Sequence, residues 1–190
     1  MRFLASVQIT HSVSILAGAL YGPAAAGTTA LLAGAAQMLG IAPTFTESMG
    51  APKEPIGGWV VLMSALGALS FEGLVPGALV GSAVFAVGSI QNYFMPRKVI
   101  ELYQTKKPVT PLAINLLKTT GAIGASLAAY LKVTADGGSH ARGLAASGVI
   151  NMLNMLKYAF FDAANDGVDF AGVFVWALYS GAIAALALQK

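Results

Sequence analysis

Residues 57–94, GGWVVLMSALGALSFEGLVPGALVGSAVFAVGSIQNYF, carry one charged side chain, Glu72, close to their middle. As a single helix this stretch would be about 57 Å long at 1.5 Å of rise per residue, against a bilayer hydrocarbon core of about 30 Å. Two helices that turn back at Phe71-Glu72-Gly73 satisfy both lengths, with a glycine at the bend and Pro76 where a new helix can begin. On this reading Glu72 sits at a hairpin tip near the membrane surface. If the turn dips into the bundle, Glu72 is instead an intramembrane carboxylate and a candidate acid/base group.

The rest of the chain follows the same logic. Of 190 residues, 56% are hydrophobic and only 10% charged, and the mean hydropathy is +0.71. A soluble domain carries about 25% charged residues, so this chain cannot coat a water-facing surface with charge. The expected fold is all-α: a polytopic integral membrane bundle of six or seven transmembrane helices with short loops, in one domain covering 1–190. Its apolar blocks are 3–41, 57–94, 109–133, 144–161 and 170–188. The first block, centred on Gly22-Pro23, is either one kinked span from about Val13 or two helices meeting at Gly22-Pro23; its length favours the hairpin, and the choice sets the count at six or seven. Its opening residues loosely resemble a signal peptide, but Gln8, Thr10, His11, Ser12 and Ser14 interrupt the apolar run, so a retained helix is expected.

Segments 42–56, 95–108, 134–143 and 162–169 are expected as loops. The 95–108 segment, MPRKVIELYQTKKP, is the most basic, and its KVIELY core reads as a short interfacial helix. Trp59 and Tyr93 are placed as interfacial anchors. A double-hairpin topology gathers Arg2, Lys53, Arg97, Lys98, Lys106 and Lys107 on one side, which the positive-inside rule assigns to the cytoplasm or its equivalent. The acidic 162–169 loop falls on that side too, either as a solvated loop or clasped to its basic neighbour. The identity of the membrane is left open.

The 22 glycines point to close helix contacts, since small residues rather than a hydrophobic force bring helices together in lipid. Cysteine is absent, which removes disulfide and thiolate chemistry. No HExxH or carboxylate ligand set suggests a metal, no GxGxxG suggests a nucleotide, and no cofactor is indicated. The net charge of +3 is concentrated in one loop, so it reports orientation and gives no reason to expect a nucleic-acid partner.

Polar residues inside apolar blocks are costly and mark candidate sites. Lys118 is the foremost, lying with Asn115, Thr119, Ala122 and Ser126 along one face of its helix. A second row runs Ser147, Asn151, Asn154, Tyr158, and the first helix offers Gln8, His11 and Ser12. Lys118, Glu72 and His11 are the candidate catalytic groups, and Asn115, Lys118, Asn151 and Asn154 the candidate substrate-binding ones. Against each stands a plainer role: paired structural Lys, hydrogen-bonded His, interhelical Asn glue worth about 1 kcal/mol. The leading expectation is a non-catalytic packing or assembly subunit of a membrane complex. The alternatives are a small carrier or transporter, or a membrane-embedded enzyme for a hydrophobic substrate, each using a polar site around Lys118. The expected partners are the lipid bilayer, other membrane subunits or further copies of the chain, and a small hydrophobic ligand.

Overall fold

Glycine and proline punctuate the described residues into eight α-helices. They are α1 (Arg2–Tyr21), α2 (Pro23–Pro43), α3 (Lys53–Phe71), α4 (Gly77–Phe94), α5 (Pro96–Tyr103), α6 (Pro111–Ala135), α7 (His140–Phe161) and α8 (Phe170–Leu188). The computed structural model describes residues 2–103 and 106–189, and no strand occurs among them.

Both expected hairpins form. Gly22 adopts φ 89°, and Pro23 opens α2 at a position whose missing N–H costs the helix nothing. At the other hairpin, Gly73 has φ 72°, its N–H bonds to the Ser70 carbonyl, and the Leu74 N–H bonds to the Leu69 carbonyl. That pair of bonds is a Schellman closure, and it needs the left-handed conformation that glycine adopts freely. Glu72 is the cap residue of α3 and exposed, so it is a tip residue.

Two loop boundaries are corrected. The 42–56 segment is mostly helical: α2 runs into a π-helical turn (Thr44–Met49), and α3 starts at Lys53, leaving only 50–52 between them. Pro55 falls in the first turn of α3, where a missing backbone donor is tolerated. Likewise α7 starts at His140 rather than after a loop ending at Gly143, because the Ser139 side chain accepts the Arg142 N–H and caps it. The KVIELY helix forms as α5, set 98° from α4.

The long helices alternate in direction. α2 packs between α1 and α3; α4 runs along α2 and against α6; α7 packs on α6, and α8 on α7. Consecutive α3 and α4 touch little, because α2 occupies the space between them. One end of the bundle therefore holds the start of α1, the π-helical turn, α5 and the 162–169 segment. Contacts tie these together: Lys106 N–H bonds to the Met49 carbonyl at 2.9 Å, and Phe45 meets Tyr103 edge-on. The basic loop is here, so this is called the basic end. Gly22, Glu72 and the 136–139 turn lie at the opposite end.

The packing is small-residue packing. A Cβ on Gly27 would overlap the backbone of Gly77 and Ala78, so α2 and α4 cross in near backbone contact. Tyr130 is fully buried, admitted by Gly18 of α1 and Gly143 of α7, with its hydroxyl 2.7 Å from His140 Nδ1. The pattern of burial is inverted relative to a soluble helix. On α1, Thr10 and Ser14 are buried while Ile9, Leu16 and Leu20 are exposed; on α8, Val175, Trp176 and Leu178 are exposed. Large apolar side chains facing outward around a bundle suit a lipid surround.

Among the described residues, five helices are long and apolar enough to cross a membrane: α1, α2 with its continuation, α3, α6 and α8. A sixth arises if α4 and α5 count together across their bend. α7 falls short of that apolarity because of Asn151, Asn154, Lys157 and its polar first turn. Five to six spans is thus what length and apolarity support; a seventh depends on α7 being shielded by its neighbours.

Candidate functional site

The polar rows of α6 and α7 do face each other, and α1 joins them. His11 Nε2 lies 3.0 Å from Ser126 Oγ and 3.0 Å from Ser147 Oγ, while Asn151 Nδ2 donates to Ser126 Oγ at 3.1 Å. Ser126 also donates to the Ile123 carbonyl at 2.8 Å. One proton arrangement fills these valences. With its own hydrogen on Ile123, Ser126 has two lone pairs that accept Asn151 and His11, which makes Nε2 the protonated nitrogen. No carboxylate contacts His11 among the described residues, so the node lacks the group that would stabilise an imidazolium in nucleophilic catalysis. It is a three-helix polar tie. The α6 and α7 rows were legible as helical spacing. Thr10 and Ser14, the buried residues of α1, were not, and Gln8 and Ser12 turn out exposed.

The other candidates are dispersed. Asn115 Nδ2 donates to Asp166 Oδ2 at 3.0 Å, and the Tyr158 hydroxyl donates to the same oxygen at 2.9 Å. Lys157 pairs with Asp162. The acidic segment is thus held by α6 and α7. Asn154 is only 8% exposed, and its Nδ2 has no hydrogen-bond partner. Lys118 is half-buried and has no polar partner among the described residues. It belongs to the basic half of the bundle while Glu72 caps the opposite end, so the two do not meet. Trp59 packs inward against the Leu31, Ala35 and Met63 cluster, so it is not a perimeter anchor.

A cavity absent from the sequence reading occupies the basic half. A partly open chamber of about 740 Å³ lies among α2, α3, α4 and α6, with residues of α5 at its end. Gly34, Gly58, Gly88 and Gly124 line it; Gly34 and Gly124 let Met63 and Ser89 pack close. Gly58 and Gly88 border open space, so nothing else fills those gaps. Much of the remaining lining is apolar and includes Met38, Met63 and Phe85; unbranched methionines adapt readily to different shapes. Polar groups enter from Gln37, Gln91, Asn92, Lys98 and Tyr103. Gln91, Asn92 and Lys98 have no side-chain partner among the described residues. Among the described residues the lining holds no histidine or carboxylate. The available signal was Gly34 and Met38 on one helix and Gly88, Gln91 and Asn92 on another, at helical spacing, but spacing alone cannot show that the two faces border one volume.

Comparison of the chain with protein-family models, with curated proteins and with solved structures finds no match.

Proposed function

We propose that the protein is a small multi-pass membrane carrier that binds a lipophilic molecule in the chamber beneath α5. The observation that carries this reading is the chamber itself. Its volume falls within the roughly 300–1,000 Å³ of small-molecule sites, and it joins an apolar wall to a few polar groups, as such sites do. The absence of histidine and carboxylate from its lining favours binding over catalysis. In this reading all seven long helices span the bilayer, with α7 shielded by α6 and α8, and the basic end faces the cytoplasm or its equivalent.

Trp59 lines the chamber, and the only other tryptophan, Trp176, is exposed on α8. A Trp176→Phe protein therefore reports on Trp59 alone. Titration with a chain-brominated single-chain amphiphile should quench it saturably, and adding Gly88→Leu, which fills open space in the chamber, should remove the saturable component. Linear quenching that is equal in both proteins would reflect partition into detergent or lipid and would end the carrier reading.

The assembly-subunit reading keeps one specific support: α8 packs on α7 and otherwise presents Val175, Trp176, Leu178 and Tyr179 outward. In that reading a partner helix covers this face.

A further inference from the structure

We infer that the ligand of the chamber is an anionic amphiphile, held with its acidic head beside Lys98 and its aliphatic chain directed toward the middle of the bundle. This assignment rests on the carrier reading and adds a ligand class to it.

The lining is sorted along the bundle axis. Gly34 of α2, Met63 of α3, Phe85 of α4 and Gly124 of α6 make the inner end and bring no charge. Gln37, Ser89 and Thr120 lie in between, and each is already engaged. Gln37 accepts from Thr10 at 2.9 Å, Ser89 donates to the Phe85 carbonyl and Thr120 to the Leu116 carbonyl. Gln91, Asn92 and Lys98, which have no side-chain partner among the described residues, stand together at the basic end. The occupant that suits this lining is apolar along its length and polar at that end.

The depth fits a lipid chain. The lining runs from Met95 to Val84 on α4 and from Ala113 to Gly124 on α6, about 16 Å at 1.5 Å of rise per residue. That is close to half of the roughly 30 Å hydrocarbon core. A chain lying in the chamber therefore reaches as deep as one leaflet and keeps its head at the interface.

Lys98 sets the sign of the head. It is the charged side chain of the described lining, and it is exposed, so a head at the open end can reach it. Glu101, the carboxylate one turn along α5, is paired with Arg97. An anionic head beside Lys98 gains an ion pair, and the half-buried Gln91 and Asn92 amides can donate to its oxygens. A cationic head there meets like charge.

The test uses the full chain carrying Trp176→Phe in nonionic detergent, where quenching reports on Trp59. A chain-brominated fatty acid, ionised at mildly alkaline pH, and the chain-brominated alcohol of the same length are titrated separately. Both should quench saturably. The ratio of their half-saturation concentrations should favour the acid about threefold more than it does in Lys98→Gln, the scale of one solvent-exposed ion pair. Partition into detergent differs between the probes but cancels in that comparison. Lys106→Gln removes a charge at the same end but outside the lining, and should leave the ratio unchanged. Saturable quenching with a ratio unaltered by Lys98→Gln, or altered equally by Lys106→Gln, overturns the anionic-head assignment and leaves the carrier reading standing. Absence of saturable quenching by either probe ends both.

Discussion

At the scale of single residues, glycine does two opposite jobs. Gly27 is where α2 and α4 meet, and any side chain there would overlap backbone that cannot rotate away. Gly88 faces the chamber, with nothing close to where a Cβ would be. Gly27→Leu is therefore expected to destabilise the bundle by about 1–3 kcal/mol or more, read as a lower unfolding midpoint in detergent, while Gly88→Leu should leave that midpoint nearly unchanged. Equal effects at both positions would mean that the α2–α4 crossing is not as close as described. The sequence marks both residues as glycine within a helix and cannot tell them apart, because the difference lies in what stands across from each. His11 teaches the same lesson. Its partners Ser126 and Ser147 are more than a hundred residues away in the chain, so their types were legible and their meeting was not.

Among the elements, α5 is the one whose position matters most for the chamber. It turns 98° from α4 and keeps Pro96 and Ile100 buried while Arg97, Lys98 and Glu101 are exposed. This is the pattern of a helix lying across a membrane interface with its apolar face inward. Ile100 also lines the chamber. Ile100→Asp should lift α5 and open that end, making Trp59 accessible to a water-soluble quencher in the Trp176→Phe background. Unchanged quenching would show that α5 does not close the chamber. The amphipathic character of KVIELY was readable from its alternation of charge and aliphatic side chains. That it roofs a cavity follows only from α2, α3, α4 and α6 leaving one beneath it.

For the whole molecule, the alternating helix directions place Asp136 and Asn165 at opposite ends of α7. Because the native chain has no cysteine, Asp136→Cys and Asn165→Cys proteins can each be labelled without background. In sealed vesicles of uniform orientation, a membrane-impermeant maleimide should reach one and not the other, with Lys106→Cys matching Asn165→Cys. Labelling of both ends of α7 from the same side would remove it from the set of spans. Among the described helices, α7 is the long one without enough apolar surface to cross by composition with or without a neighbouring segment.

The all-helical class and the two hairpin turns are legible in the chain alone. Charge scarcity, block lengths and the Gly-Pro and Glu-Gly turns are local quantities, and local stereochemistry converts them into helices and bends without reference to the remaining chain. Capping decided the misplaced boundaries: Ser139 extends α7 backward, and the helical run through Pro43 removes most of the 42–56 loop. Only the tertiary structure decided which polar residues meet. It gave Asn115 to Asp166, left Lys118 without a polar partner among the described residues, joined His11 to α6 and α7, and left a partly open chamber among α2, α3, α4 and α6. Those outcomes depend on which helix faces are apposed, and apposition comes from small-residue contacts between segments distant in the chain, such as Gly27 on Gly77. A single helical period does not specify its partner.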